Sequence, residues 1–206
     1  MTTPNYWRQA TRELAVRDPI LKKIISRSHG LTLRSRGDAF NTLARSIVGQ
    51  QISVKAAQSV WDKLAAAVPA IRPEIIHKHD ADALRNCGLS RSKVGYLQDL
   101  ARHFIEGILD GQQWDRMSDD ELIAELTQVR GIGRWTAEMF LIFYMTRPDV
   151  LPVDDIGLQR AMSLHYNHGR PLSKLKIQSI SKRWLPWRSV ATWYMWRSLD
   201  PIPVEY

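Results

Sequence analysis

The chain has 206 residues, 44% of them hydrophobic, and its 29 lysines and arginines outnumber 21 aspartates and glutamates to give a formal net charge of +8. No apolar run approaches the roughly 20 residues of a membrane-spanning helix, and the first residues lack the apolar stretch of a secretory signal. The single cysteine, Cys87, excludes an internal disulfide, an iron–sulfur cluster and a zinc site built on several thiolates. We therefore expect a cytoplasmic protein without a membrane segment, whose charge favours a polyanionic partner.

Helical patterns dominate the first half of the chain. Apolar residues recur at helical spacing after Asp38 and again after Ser53, and both residue types are favoured helix N-caps. A short helix is expected to end at Gly88 in the left-handed conformation. Ser90 then opens a long helical pattern whose apolar face continues to Ile108. A basic stretch before these segments predicts a further pair of helices beside the core.

The second half continues in the same way. Ser118 and Glu121 match a capping box at the start of a helix. Asp154 and Asp155 open another helix, and two more are expected at the C-terminal end. The sequence therefore predicts an all-α protein of roughly ten helices, with no segment long enough to build a sheet.

The domain organisation follows from the absence of linkers and repeats. No low-complexity tract or Gly/Pro-rich linker divides the helical patterns. We expect one domain over residues 1–206, with helical lobes at roughly 38–110 and at 1–37 plus 111–206. The active-site cleft is expected between these lobes.

The segment after the capping-box helix is the most informative in the chain. Gly131 and Gly133 flank Ile132, so the backbone can turn tightly while the apolar side chain fixes the turn to the core. The next helix begins near Arg134, and its free N–H groups suit a phosphate oxygen. On the Gly-x-Gly pattern alone, an ordinary tight connection between two helices is the simpler interpretation.

This segment is one of four sequence motifs that together resemble a known family. They are IVGQQIS at 47–53, GIGRWTA at 131–137, LPVDD at 151–155 and PWRS at 186–189. Together they resemble the helix-hairpin-helix (HhH-GPD) DNA glycosylase superfamily, and most closely its AlkA type, DNA-3-methyladenine glycosylase II. Longer AlkA proteins carry an N-terminal β domain, so the chain resembles the short, all-helical form. The resemblance implies a compact two-lobed helical fold with no β domain.

The resemblance also implies a catalytic role for Asp155. Breaking an N-glycosidic bond leaves positive charge on the sugar, and a carboxylate near the anomeric carbon stabilises that charge. Judged from the residues alone, an adjacent Asp pair at a helix start is most simply explained by N-capping. The family register, aligned through Leu158 and Arg160, assigns the catalytic carboxylate to Asp155 and makes Asp154 the cap or support. The residues alone leave the opposite assignment open.

The residue after GIGR separates two chemistries. Bifunctional relatives carry a lysine nucleophile there, whereas this chain has Trp135, so the resemblance implies hydrolysis alone. An alkylated purine is electron-poor and stacks well on an indole, which assigns Trp135 to the base pocket. The other pocket positions correspond to Trp187, Met139 and Ile156. The last two depart from the family's aromatic residues, and a purely core role stays open for Trp187.

Contacts to DNA are implied at the hairpin and at the loop after IVG. A base inside a duplex must be rotated out of the stack. The resemblance implies that Gln51 fills the gap in place of the leucine of AlkA, while an ordinary exposed loop residue is the alternative. Gly131, Gly133, Arg134 and Thr136 are implied to bind the DNA backbone.

The family hairpin also binds a monovalent cation through main-chain carbonyls. These carbonyls correspond to Thr127, Val129 and Gly131 in this chain. The resemblance thus implies a structural K⁺ or Na⁺ ion that bridges protein and phosphate. It implies no cofactor for the chemistry itself.

Two lysines bear on the bifunctional alternative. Lys93 and Lys174 are the lysines nearest to Trp135 in the chain, and folding can bring either one close. Lys93 also forms a basic cluster with Arg85 and Arg91. A solvated surface is the simplest role for that cluster, and contact with phosphate is the alternative.

The prediction is therefore a monofunctional DNA glycosylase of the DNA-3-methyladenine glycosylase II type. It hydrolyses the N-glycosidic bond of alkylated purines, 3-methyladenine first, in damaged double-stranded DNA during base excision repair. It acts as a monomer, at the nucleoid if the source is bacterial. The alternatives are a non-catalytic helix-hairpin-helix DNA-binding module and a bifunctional glycosylase/AP lyase.

Overall fold

The computed structural model describes residues 3–28, 30–35 and 37–199, and within these ranges the chain forms helices and no strand. None of the described helices is long and apolar enough to cross a membrane. The all-α prediction is confirmed. In the described part of the chain the α-helices are α1 (Trp7–Arg17), α2 (Pro19–Arg27), α3 (Ala39–Gly49), α4 (Val54–Ala67), α5 (Pro73–Lys78), α6 (Ala81–Asn86), α7 (Arg91–Ile105), α8 (Asp119–Leu126), α9 (Arg134–Phe143), α10 (Ile156–Tyr166), α11 (Lys174–Ser181) and α12 (Arg188–Leu199), with 3₁₀ helices at Trp114–Arg116 and Lys182–Trp184.

Side-chain caps start α3 and α8 at the positions predicted from the sequence. The Asp38 carboxylate accepts the backbone N–H of Asn41 at 2.7 Å. Ser118 and Glu121 form the reciprocal capping box, in which each side chain accepts the backbone N–H of the other residue. Gly88 has a φ of +98° just after α6, so the predicted left-handed C-terminal glycine is confirmed.

The long helix α7 is shorter than predicted. It ends at Ile105 because Gly107, with a φ of +70°, reverses the chain. The N–H of Gly107 donates to the carbonyl of Phe104, and the N–H of Ile108 donates to that of His103. This is the Schellman arrangement of a helix C-terminus. The prediction of one apolar face reaching Ile108 is wrong, and that side chain is 39% exposed.

The described residues group into two compact units. The middle unit is Gly37–Phe140, and the terminal unit consists of the described residues before Gly37 and after Phe140. The sequence placed residues 111–140 with the terminal segments, whereas their contacts place them in the middle unit. The difference arises because the hairpin contacts Tyr96 and Asp99 of α7, which only the fold reveals.

An aromatic column joins residues 111–140 to the rest of the middle unit. The ring of Trp114 lies edge-on to Phe104 and to Phe140, with centroids 6.2 and 5.3 Å away. Its indole N–H donates to the Glu125 carboxylate at 2.8 Å, so the fully buried indole has a polar partner. These contacts tie α7, α8 and α9 to one core.

The terminal unit contains a fully buried carboxylate, that of Asp18. Its Oδ1 atom caps α2 by accepting the N–H groups of Ile20 and Leu21. Its Oδ2 atom accepts the Tyr166 hydroxyl at 2.7 Å and the Trp184 indole N–H at 3.1 Å. Four donors therefore satisfy this carboxylate in place of water.

Candidate functional site

The hairpin, residues 127–133, connects α8 to α9 by a turn that only glycine can occupy at one position. Gly131 has a φ of +84°, and a Cβ there would lie 2.5 Å from Cγ and 2.7 Å from Cε2 of Tyr96. Ile132 is buried and its N–H donates to the carbonyl of Val129, so it fixes the turn to the core as predicted. Gly133 has no left-handed φ and nothing within 4 Å of a Cβ. The conformational requirement therefore falls on Gly131 rather than on both glycines.

Two side chains from other segments of the middle unit hold the hairpin. The buried Asp99 carboxylate on α7 accepts the backbone N–H of Arg130 at 2.9 Å. Burial opposes ionisation of Asp99, but hydrogen bonds from Arg130 and Arg102 outweigh burial and lower its pKa. The Gln50 side-chain amide donates to the carbonyl of Gly131 at 2.8 Å. The hairpin is thus bound at the N–H of Arg130 and at the carbonyl of Gly131.

The Gln51 loop, residues 50–53, connects α3 to α4. Gln51 is exposed and has a left-handed backbone, with a φ of +58°. The Lys93 ammonium, at the start of α7, donates to the carbonyls of Val48 and Gln50 at 2.7 Å each. Partial burial lowers the pKa of Lys93. The predicted solvated position is wrong for Lys93, which is directed at the C-terminal end of α3.

A cavity of about 690 Å³ opens within the middle unit. It is lined by both loops, by α4, by the start of α7 and by α9. The indole of Trp135 is 36% exposed, whereas Met139 and Thr136 are buried. Six of the residues assigned to DNA or base binding from the sequence line this cavity: Gln51, Gly131, Gly133, Trp135, Thr136 and Met139.

Arg134 is the first residue of α9, in agreement with the predicted helix start. Its guanidinium is exposed but already paired. It donates to the Glu138 carboxylate at 3.1 Å and lies 3.4 Å from that of Asp120. An incoming phosphate would compete with these carboxylates for the side chain, so the backbone N–H groups at the start of α9 are the more direct anion ligands.

The predicted cation ligands lie along the hairpin. Thr127 ends α8, the carbonyl of Val129 accepts from Ile132, and that of Gly131 accepts from Gln50. A carbonyl oxygen has two lone pairs, so each of these oxygens retains acceptor capacity. Neutral carbonyl oxygens fit a hard cation. Elsewhere in the described residues, no group of three or more His, Cys, Asp or Glu side chains is arranged to hold a metal.

In the terminal unit, Asp155 is a buried carboxylate at a helix start. Its Oδ1 atom caps α10 by accepting the N–H of Leu158 at 2.6 Å, and it accepts the Trp196 indole N–H at 2.7 Å. Asp154 is exposed and pairs with Lys174. Of the two roles predicted for Asp154, cap or support, the cap is wrong, because Asp155 itself caps α10. Asp155 therefore combines burial with a fixed orientation.

The two remaining pocket candidates, Trp187 and Ile156, also lie in the terminal unit. Trp187 stacks on Tyr6 with ring centroids 5.6 Å apart, and its indole N–H donates to Glu13 at 2.8 Å. This hydrogen bond, with one from Gln9, lowers the pKa of Glu13. Ile156 is 80% exposed at the first position of α10. The pocket roles of both residues stay predictions.

The family model described as "HhH-GPD superfamily base excision DNA repair protein" matches residues 44–186, which is more than half of the chain. The chain belongs to the HhH-GPD superfamily. This membership accounts for the helix–hairpin–helix unit formed by α8, the hairpin and α9, and it confirms the resemblance found in the four motifs.

Individual HhH-GPD proteins resemble the chain over most of its length. DNA-3-methyladenine glycosylase 1 of Schizosaccharomyces pombe is 32% identical over 78% of this chain and 72% of its own length. A Bacillus subtilis protein named putative DNA-3-methyladenine glycosylase YfjP is 30% identical, over 87% of this chain and 66% of its own length. The crystal structure of DNA-3-methyladenine glycosidase from Bacillus halodurans superposes with a TM-score of 0.86 at 31% identity, covering 97% of this chain and 93% of the other.

A further solved structure contains DNA. The S. pombe 3-methyladenine DNA glycosylase in complex with abasic DNA superposes with a TM-score of 0.80 at 29% identity. The superposition covers 96% of this chain and 98% of that one. The helical fold predicted from the sequence is therefore that of solved HhH-GPD glycosylases.

Several contacts at the site were not predicted from the sequence. The Gln51 loop and the hairpin are contacted from one helix, α7, by Lys93, Tyr96 and Asp99. Their spacing of three residues, which places them on one side of that helix, was the available sequence signal. Gln50 lay inside a recognised motif without an assigned contact. Nothing local indicated the bond from Trp196, since 41 residues separate it from Asp155.

Proposed function

We propose that the protein is a monofunctional DNA glycosylase that releases alkylated purines, 3-methyladenine first, from double-stranded DNA. Membership of the HhH-GPD superfamily and relatives named DNA-3-methyladenine glycosylase support the activity. The observation that carries the proposal is the cavity in which Gln51, the hairpin glycines and the Trp135 indole meet. A duplex-entering residue, a backbone-binding turn and a stacking surface are the three parts needed to extrude and hold a base.

Binding begins at the hairpin. The N-terminal N–H groups of α9 and the Gly131 turn supply a positive, side-chain-free surface for a phosphate. The net charge of +8 strengthens attraction to any nucleic acid. These groups position the duplex without reading its sequence, which suits an enzyme that must find a lesion in any context.

Extrusion and recognition of the base then use Gln51 and Trp135. The glutamine side chain occupies the space left in the stack, and its amide can hydrogen-bond the unpaired base. Trp135 offers an accessible indole face, on which a cationic alkylated purine gains cation–π attraction in addition to stacking. Met139 lines the same cavity as an adaptable apolar surface. Trp187 and Ile156 are proposed as the remaining pocket residues.

The chemistry is assigned to Asp155. As the N-glycosidic bond breaks, positive charge develops on the deoxyribose, and a fixed carboxylate lowers the energy of that transition state. The N–H of Leu158 and the indole N–H of Trp196 hold Oδ1 in place, so little reorganisation is needed during the reaction. The alkylated base is already a good leaving group, and water takes its place on the sugar.

The absence of lyase chemistry is supported by two residues. Trp135 occupies the position at which bifunctional relatives have a lysine. Lys93 lines the cavity, but its side-chain nitrogen is already engaged, because it donates hydrogen bonds to the carbonyls of Val48 and Gln50. Borohydride added during turnover is therefore expected to trap no protein–DNA adduct. An adduct would favour the bifunctional alternative.

Three further features belong to the proposal. The carbonyls of Thr127, Val129 and Gly131 would hold a K⁺ or Na⁺ ion, which would supply positive charge for DNA binding and take no part in bond breaking. The chemistry needs no cofactor. The protein acts as a monomer in the cytoplasm, at the nucleoid in a bacterial cell.

The test is release of free base from duplex DNA treated with methyl methanesulfonate, separated by chromatography. We expect the wild-type protein to release 3-methyladenine well above the spontaneous rate and to leave abasic sites with the strand intact. DNA binding without base release would favour the non-catalytic module. Strand cleavage in step with base release would favour the lyase.

A further inference from the structure

Three side chains on one stripe of α7 contact the two loops assigned to DNA binding. Lys93, Tyr96 and Asp99 are three residues apart, so they lie on one side of the helix. Lys93 reaches the Gln51 loop, Tyr96 lies against Gly131, and Asp99 holds the N–H of Arg130. All these contacts lie within the middle unit. α7 therefore fixes both loops from a single rigid element.

The Lys93 contact satisfies groups that α3 leaves open. The last carbonyls of a helix have no intrahelical donor and carry the negative end of the helix dipole. Lys93 donates to two acceptors at this end, the carbonyls of Val48 and Gln50, at 2.7 Å each. A partly buried ammonium with two charge-assisted bonds is held more firmly than an exposed lysine side chain.

Lys93 holds the peptide group that joins Gln50 to Gln51. The carbonyl of Gln50 belongs to the peptide bond before Gln51, and the Gln50 side chain is itself bound to Gly131 on the hairpin. Gln51 has a φ of +58°, which residues with a Cβ adopt only where their surroundings hold them. Lys93 and Gln50 together supply that restraint.

We propose that Lys93 is a positioning residue that holds Gln51 in the conformation that enters the DNA duplex. The inference rests on the proposed function for the role of Gln51. Through Lys93 on one side and Asp99 on the other, α7 sets the distance between the residue that enters the stack and the turn that binds the backbone. Loss of Lys93 leaves the contact between Asp99 and Arg130 of the hairpin intact and releases the Gln51 loop.

The experiment separates DNA binding from insertion into the stack. The probe is a duplex with a tetrahydrofuran abasic analogue and a neighbouring 2-aminopurine, whose fluorescence rises when its stacking is disturbed. Fluorescence anisotropy of a labelled copy gives the Kd of the same duplex. We expect the wild-type protein to raise the 2-aminopurine signal at saturation, and Gln51→Ala to abolish most of that rise.

Lys93→Met is expected to bind with a Kd within about threefold of wild type, because Asp99 still holds the hairpin, yet to lose at least four-fifths of the fluorescence rise. Lys78→Met, an exposed lysine on α5, is the matched control and retains the full signal. Lys93→Arg keeps a cationic donor and restores part of the signal. If Lys93→Met unfolds at the assay temperature, Lys93→Gln replaces it under the same criteria.

Three results would overturn the inference. One is a full fluorescence rise in Lys93→Met at saturation. Another is a lower affinity of Lys93→Met for DNA, with the slope of log affinity against log salt concentration reduced by about one and the 2-aminopurine fluorescence rise unchanged. That result would make Lys93 a phosphate ligand. The third is no rise with wild type. The probe contains no base to release, so the proposed glycosylase activity and the Lys93 inference fail independently: base release can persist in a protein whose Lys93 variant inserts normally.

Discussion

Gly131→Ala gives the sharpest test of the hairpin geometry. The new Cβ would lie 2.5–2.7 Å from Cγ and Cε2 of Tyr96, and φ at this position is +84°. A left-handed residue with a Cβ costs roughly 1–2 kcal/mol. Overpacking against the half-buried ring of Tyr96 costs about 1–3 kcal/mol. The two effects act at the same atom, so we expect Gly131→Ala to lower the free energy of unfolding by about 2–5 kcal/mol.

Gly133→Ala is the matched control for stability, because its Cβ meets nothing within 4 Å and its φ is not left-handed. Urea denaturation of both variants gives the comparison. We expect a shift of less than about 0.5 kcal/mol for Gly133→Ala. The double variant Gly131→Ala/Tyr96→Ala should recover the overpacking part of the loss and not the backbone part. Equal stability of the two glycine variants would refute the assignment of the strained position to Gly131.

Three further predictions follow from buried carboxylates and from the stacking surface. Asp99→Asn should lower the free energy of unfolding by about 1–3 kcal/mol. Because the pKa of Asp99 is depressed in the folded state, the ionised carboxylate stabilises the fold fully above the ordinary pKa of 3.8 and loses that contribution as the pH falls below it. In urea titrations between about pH 6 and about pH 3, the wild type should therefore lose more stability than the variant. Asp18→Ala should lower the free energy of unfolding by about 3 kcal/mol or more, since four donors lose their acceptor. The exposed cap variant Asp38→Ala should lower it by only about 1 kcal/mol, and thermal unfolding of both variants gives the comparison. Trp135→Ala should slow single-turnover base release by about tenfold or more and Trp135→Phe by less, and equal rates would exclude stacking on this residue.

The features predicted well from the sequence are those decided by neighbouring residues. Asp38 and the Ser118 capping box start helices through contacts three residues away, and Gly88 ends one through its own backbone freedom. Ile132, the apolar residue between the two glycines of the hairpin, is buried. Each of these features is determined by residues within one helical turn of it in the sequence.

The features that were missed depend on distant parts of the chain. Lys93 looked like part of a solvated cluster because the carbonyls it binds lie more than 40 residues earlier. The sequence assigned the cap of α10 to Asp154 rather than Asp155, because either carboxylate can cap a helix. The indole of Trp196, 41 residues later, distinguishes the two. Local propensity contains no information on such tertiary partners.

The central claim is that the Asp155 carboxylate stabilises positive charge on the sugar, and single-turnover release of 3-methyladenine from methylated duplex DNA tests it most directly. Asp155→Asn keeps the side-chain shape and removes the charge, so we expect base release to slow by about a hundredfold or more while DNA binding is retained. Asp154→Asn, which breaks only the exposed pair with Lys174, should release base at nearly the wild-type rate. Undiminished release by Asp155→Asn, or an equal loss in both variants, would contradict the claim.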